Sequence, residues 1–181
     1  MFIRTTLVAS AAIALSACAT GMGTPAMPFS QAGLPAAVQV PAGHKVAMET
    51  VGVGQITYEC RAKKDMAGHE WVFVGPDARL MDRQGQPVGR YYGPPATWES
   101  RDGSKLTGAQ LAVAPAAAGA IPLQLVKANP AMGMGAMQGV TYIQRVATRG
   151  GVAPTSACDA GTKGRREVVK YQADYIFWKA M

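Results

Sequence analysis

The sequence has few of the residues on which catalysis depends: two histidines and three cysteines among 181 residues. It contains no Gly-x-Ser-x-Gly nucleophile elbow, no Gly-x-x-x-x-Gly-Lys phosphate loop and no His-Glu-x-x-His zinc motif. A nucleophile such as Ser104 would need His44 or His69 as its base, and both histidines are more typical of surface positions at strand starts. These absences argue against the common hydrolase classes, and we expect no cofactor.

Long stretches with the 3.6-residue period of an amphipathic helix are also missing. The chain instead has short β-prone runs separated by many of its 21 glycines and 12 prolines, such as residues 71–74 before Gly75-Pro76-Asp77. Between residues 169 and 177 alternate side chains are apolar, which predicts a strand with one face on the core. This pattern favours an all-β domain, a mostly antiparallel sandwich or barrel with short strands and little helix.

Acidic residues are few, 11 against 18 lysines and arginines, for a formal net charge of +7. Such a balance suits anionic neighbours such as lipopolysaccharide, anionic lipid or another polyanion. The basic residues are dispersed, with no run of five, which favours the alternative of a solvated surface without a specific partner. Nucleic acid is not expected as a partner of an exported domain.

The N-terminus resembles a bacterial lipoprotein leader, with Arg4 as its only charge, a short apolar stretch and the lipobox Leu15-Ser16-Ala17-Cys18. We predict a signal peptide over residues 1–17 and a lipid anchor on Cys18. Because Ala19 is not aspartate, the resemblance implies the outer membrane, with the domain facing the periplasm. The alternative is ordinary cleavage around Ala17-Cys18-Ala19, which would release a soluble secreted or periplasmic protein.

Charge is absent from residues 19–43, which are rich in Gly, Pro, Ala and Met. This composition predicts that residues 18–43 form the lipidated cysteine and a flexible tether. Residues 44–181 then form a single β-rich domain.

Lipidation of Cys18 explains the odd number of cysteines and leaves Cys60 and Cys158 free to pair. An oxidising periplasm lets such a disulfide persist. Two separate buried thiols, or a pair of metal ligands, remain as alternatives, although only two histidines could complete a zinc site.

Aromatic and acidic side chains gather around Gly93-Pro94-Pro95 and form the predicted ligand surface: Tyr91, Tyr92, Trp98, Glu99 and Asp102. Rings beside carboxylates commonly hold carbohydrate or cationic ligands. Glu99 and Asp102 could also act as the acid and base of a glycosidase. The alternative places Trp98 in the core and Asp102-Gly103 in a hairpin turn.

Three closely spaced methionines, Met132, Met134 and Met137, suggest a second kind of site. Thioethers are soft ligands that select Cu(I), and a glycine-rich loop could bring three of them to one ion. The alternative is a loop in which methionine is an apolar filler.

Several segments in order resemble the bacterial and fungal family called domain of unknown function 3455: Trp98-Glu99, residues 102–105, residues 121–123, residues 144–151, Pro154, Cys158 and residues 171–177. The resemblance covers about Pro41 to Trp178. It implies an exported β-rich domain with a Cys60–Cys158 pair and no assigned activity.

Together these features predict a lipid-anchored cell-envelope protein that is a binding or structural module. Its expected partners are the membrane, through the anchor, and an envelope polyanion, glycan or protein. Alternatives are a periplasmic copper-binding protein and a carbohydrate-active hydrolase. A binding module predicts exposed Tyr91 and Trp98, a structural protein predicts both buried, and an enzyme predicts a histidine beside Glu99 or Asp102.

Overall fold

The structure is a computed structural model and describes residues 28–181. Within this range the strands are β1 (His44–Ala62), β2 (His69–Met81), β3 (Pro87–Tyr92), β4 (Thr97–Ser100), β5 (Lys105–Ala114), β6 (Leu123–Ala128), β7 (Val140–Gly150) and β8 (Arg166–Ala180). Two 3-10 turns, Ala36–Val38 and Ala160–Thr162, complete the secondary structure of the described range. The predictions for residues 1–17 and for Cys18 lie outside the described residues.

The sheet closes into a barrel, because each strand pairs antiparallel with the next and β8 returns to pair with β1. The prediction of an all-β, mostly antiparallel domain is therefore confirmed. Of the two predicted architectures, sandwich and barrel, the structure has the barrel. The strands are not uniformly short, since β1 has 19 residues and β8 has 15. Within residues 28–181 no helix is long and apolar enough to cross a membrane.

The barrel interior is filled by alternate side chains of β8 and of the facing strands. The predicted row on β8 does point inward, with Tyr171, Ala173, Tyr175 and Phe177 all buried. Gly52 of β1 makes room for Tyr175, since a Cβ there would lie 2.6 Å from the Tyr175 ring. The predicted alternation of residues 169–177 is therefore confirmed. It defines the inner face of β8, which pairs with β1, and these are the two longest strands.

A second apolar cluster lies outside the barrel, beneath residues 28–40, which we call the N-terminal strap. Val38 and Val40 of the strap are buried against Ile176 and Trp178, which point outward from β8. Residues 28–40, which the sequence assigned to the tether, therefore pack on the outer face of the barrel. The uncharged segment contains enough apolar side chains to cover the outer face of β6, β7 and β8.

A buried polar network fixes the strap to the barrel. Gln144 of β7 donates from Nε2 to the carbonyl of Val38 over 2.7 Å, and its Oε1 accepts from the Trp178 indole over 2.8 Å. Gln31 accepts from the same amide over 3.0 Å. Both the nitrogen and the oxygen of the Gln144 side-chain amide thus have hydrogen-bond partners, and two of these partners belong to the strap. The strap is therefore part of the folded domain.

Cys60 and Cys158 form the predicted disulfide, with an S–S distance of 2.01 Å and Cα atoms 5.5 Å apart. The bond joins the end of β1 to the connection between β7 and β8. The Trp71 indole donates to the carbonyl of Ser156 over 2.9 Å, so β2 holds the same connection.

Candidate functional site

Tyr91 and Trp98, two of the five residues of the predicted ligand surface, lie inside the barrel. They are 6% and 1% exposed, and their rings stack with centroids 4.7 Å apart. Tyr175 tilts against Tyr91 at 4.9 Å. These two rings therefore do not lie on an exposed surface. Trp98 has the core position that the alternative gave it, because both residues belong to the inward-facing side of their strands.

The interior also contains polar atoms of these aromatic residues. Burial raises the pKa of Tyr91 and that of Tyr175, so both hydroxyls stay protonated. The Tyr175 hydroxyl lies 3.2 Å from that of Tyr171. Among residues 28–181 the buried Trp98 Nε1 finds no hydrogen-bond acceptor.

Tyr92 and Glu99 lie on the outer face of the barrel. The Tyr92 hydroxyl donates to Glu99 Oε2 over 2.7 Å, and this hydrogen bond is the main cause that raises the pKa of Tyr92. The guanidinium of Arg90 lies 4.8 Å from the centre of the Tyr92 ring. The carboxylate of Glu99 on β4 therefore already accepts a hydrogen bond from the neighbouring strand β3.

Asp102 holds two loops together. It accepts hydrogen bonds from the Ser104 hydroxyl, the Ser104 amide and the Ala136 amide. The bond from the Ser104 hydroxyl is the largest cause that lowers the pKa of Asp102 to about 2. Gly103, at φ 84°, takes the left-handed position of the β4–β5 turn. Asp102 and Gly103 therefore form the hairpin turn of the alternative prediction, in which Asp102 is not part of a ligand surface.

Neither histidine approaches the predicted acid and base pair. The His44 ring lies 3.0 Å from the carbonyl of Pro41, and His69 pairs with Ala62 at the start of β2. The side-chain hydrogen bonds of Glu99 and Asp102 within residues 28–181 come from Tyr92, Ser104 and Ala136. The arrangement expected for an enzyme is therefore not formed by these residues.

The three methionines of the β6–β7 connection do not converge. Met137 is 1% exposed and belongs to the core, whereas Met132 and Met134 are exposed. Within the described range no group of three His, Cys, Asp or Glu side chains is placed to hold a metal ion. The copper alternative, in which the three thioethers share one ion, is therefore not formed by this arrangement, because Met137 is part of the interior packing.

A groove of about 1030 Å³ crosses the outer face of β7, β8, β1 and β2. Val53 lies at its centre and is half exposed, with Arg79 opposite on β2 and Gln172 opposite on β8. Arg149 lies opposite Gln172, so the two arginines flank the groove from different sides. Lys170 adds a third cation.

The cations of the groove have no carboxylate partners within residues 28–181. The ion pairs of that range involve Arg61, Arg83, Arg165 and Arg166. Asp77 is the acidic residue of the groove lining, against three cations. The groove therefore presents a net positive charge around an apolar centre.

A smaller recess of about 350 Å³ adjoins the groove and is lined by Arg79, Arg90, Arg101 and Glu99, among others. Arg79 lines both concavities. The sequence did not indicate Arg79, Arg90 and Arg149 as site residues, because they come to one face of the barrel only through the pairing of β7, β8, β1, β2 and β3.

The fold and this site define a closed, eight-stranded antiparallel barrel with a basic groove on its outer wall. Residues 41–179 match the family model described as "Protein of unknown function (DUF3455)", and the chain belongs to this family. The match begins directly after the strap. No curated protein and no solved structure matches the chain.

Proposed function

We propose that this protein is an outer-membrane lipoprotein facing the periplasm, and that its barrel binds anionic envelope molecules in the basic groove. The observation that carries the binding proposal is the set of three cations without carboxylate partners, Arg79, Arg149 and Lys170, around the exposed Val53. The lipobox at residues 15–18 supports the anchor.

The chemistry of the groove favours a ligand that has both anionic and apolar surface. Arginine presents a planar fork of donors that matches carboxylate and phosphate groups, and lysine adds a point charge. Val53 offers apolar contact between the cations, and Gln55 and Gln172 offer amide groups. An anionic glycan or another envelope polyanion has these properties.

The position of the strap is compatible with a site close to the membrane. Pro28 follows Cys18 by ten residues, which can span at most about 35 Å. The next residue, Phe29, donates its amide to Glu49 Oε1 over 2.9 Å. Glu49 also pairs with Arg83, whose other partner Asp174 lies opposite Val51, two residues from Val53. The chain that follows the anchored Cys18 would therefore reach the outer wall of the barrel beside the groove.

A structural role is the second candidate, and the burial of Tyr91 and Trp98 favours it. The geometry favours neither the copper-binding nor the hydrolase alternative, because Met137 is in the core and Glu99 accepts a hydrogen bond from Tyr92 rather than from a histidine.

The binding proposal is tested by titrating the lipid-free domain with polygalacturonate at low and moderate salt. Replacement of Arg79, Arg149 and Lys170 by glutamine should weaken binding by at least about tenfold, or about 1.4 kcal/mol. The control variant carries Lys64→Gln and Lys163→Gln, two exposed lysines outside the groove. Equal affinities of both variants would contradict the groove as the site.

The anchor is tested by labelling cells that express the full chain with radioactive palmitate. We expect label on a mature chain that begins at Cys18, and no label on the Cys18→Ser variant. A mature chain that starts after residue 18 would instead support ordinary secretion.

A further inference from the structure

The groove is part of a longer row of side chains that crosses the barrel perpendicular to its strands. Directly opposite residues on neighbouring antiparallel strands point to the same face, so successive pairs can be followed around the wall. From β7 to β4 the row consists of Arg149, Gln172, Val53, Arg79, Arg90 and Glu99. With strands about 4.8 Å apart, its five steps cover about 24 Å.

At the centre of this row two arginines face each other. Arg79 of β2 lies directly opposite Arg90 of β3, and both side chains are exposed. Like charges in this position destabilise a sheet unless a counter-charge neutralises them. Within residues 28–181 neither arginine forms an ion pair, and Glu99, opposite Arg90, accepts from Tyr92 instead.

The two arginines stand where the groove and the smaller recess meet. Arg79 lines both, and Arg90 and Arg101 line the recess. Together the two concavities hold five cations, Arg79, Arg90, Arg101, Arg149 and Lys170, against the carboxylates of Asp77 and Glu99. The positive charge therefore extends well beyond the dimensions of a single sugar or phosphate group.

We propose that the groove and the recess form one continuous track for an extended anionic glycan chain, which lies across the strands from Arg149 to Arg101. This proposal rests on the proposed function and names the ligand class of the same groove. Arg79 and Arg90 hold one charged group of the chain between them, and Arg149 and Lys170 hold another.

The shape of the site favours a chain over a membrane surface. The row that carries Arg149, Arg79 and Arg90 is about 24 Å long and crosses the strands in a line, which matches an extended chain better than a planar array of lipid headgroups. The ring of Tyr92 positions the Arg90 guanidinium at 4.8 Å by a cation–π contact, so this cation is already oriented before a ligand arrives.

The test measures the affinity of the lipid-free domain for galacturonate oligomers of increasing length, from the monomer through the di- and tetramer to the hexamer. Affinity should rise by at least about tenfold between the dimer and the hexamer, as further carboxylates reach further cations. Arg90→Gln should abolish most of this gain and leave dimer binding in the groove in place. Lys64→Gln is the matched control and should behave like the parent protein.

The outcomes separate the track from the groove. If the dimer binds, Arg149→Gln removes that binding and affinity does not rise with length, then the track is wrong and the groove proposal stands. If no oligomer of any length binds and vesicles containing phosphatidylglycerol do not bind either, both are wrong. If the oligomers fail but vesicles containing phosphatidylglycerol bind through Arg79, the ligand is a membrane surface and the track is likewise overturned.

Discussion

The carboxylate of Asp102 accepts a hydrogen bond of 2.8 Å from the amide of Ala136, which joins the β4–β5 turn to the β6–β7 connection. The Ser104 hydroxyl donates to the same carboxylate over 2.5 Å and accepts from the amide of Met137 over 3.1 Å. The adjacent Gly135 lies so close to Asp102 that any Cβ would overlap the carboxylate. These contacts hold the connection against one end of the barrel and keep Met137 in the core.

The hydrogen bonds of Asp102 make the stability of the domain depend on pH in the acid range. The fold lowers the pKa of this carboxyl from 3.8 to about 2, so the charged form is favoured in the folded state. The resulting stability is complete above about pH 4 and is lost as the pH falls through about 2. Asp102→Asn should lower the free energy of unfolding near neutral pH and remove this part of its decline between pH 4 and pH 2, measured by urea unfolding.

The matched control for this variant is Asp82→Asn in the β2–β3 turn. Within residues 28–181 the carboxylate of Asp82 accepts hydrogen bonds from the amides of Gln84 and Gln86, both in its own turn. Amide hydrogen exchange of residues 133–138 should therefore accelerate in Asp102→Asn and stay unchanged in Asp82→Asn. Equal exchange in all three proteins would contradict the role assigned to Asp102.

Cys60 and Cys158 are separated by 98 positions in the sequence, so the disulfide closes a long loop. Its removal should therefore lower the stability of the domain substantially. The chain-entropy model gives about 4.7 kcal/mol for a loop of this size, as an upper bound. Replacement of both Cys60 and Cys158 by alanine should lower the free energy of unfolding by up to this amount, measured by guanidinium titration. The oxidised parent protein under the same conditions is the reference, and an unchanged midpoint would contradict the prediction.

The strap should contribute to stability through its buried valines. Val38→Ala removes two methyl groups that are packed against the outer cluster of the barrel, which should cost about 2 kcal/mol. Val168→Ala, at an exposed position of β8, is the control and should change stability by less than about 0.5 kcal/mol. If thermal unfolding shows the same small effect for both, the strap does not contribute to the fold.

Substitution of Trp98 separates a core role from a ligand role. Trp98→Phe retains the stack on Tyr91 and removes an indole N–H that has no acceptor among residues 28–181. The variant should therefore lose less stability than the about 3–5 kcal/mol of Trp98→Ala, since an unpaired buried donor itself costs about 1–3 kcal/mol. Its affinity for polygalacturonate should equal that of the parent protein. A tenfold loss of affinity in the folded variant would show that Trp98 belongs to the binding site.

Sequence patterns predicted the features that depend on short segments. The alternation in residues 169–177 correctly gave the inner face of β8, because side chains of a strand alternate whatever its neighbours are. For Tyr91 and Trp98 the sequence left two alternatives open, an exposed ligand surface and a core position for Trp98, since composition around a turn does not reveal which face of β3 or β4 points inward. The strap was missed because an uncharged segment without periodicity carries no sign of the apolar surface that it covers.

The sequence by itself therefore determined the strand-rich class, the family and the pair of cysteines that could bond. Closure of the barrel was decided by tertiary structure, through pairs such as Thr50 and Tyr175 that are far apart along the chain. The same closure aligned Arg149, Arg79 and Arg90 across neighbouring strands and created the basic groove. Local periodicity fixes which side chains share a strand face, whereas long-range register fixes which of them become neighbours.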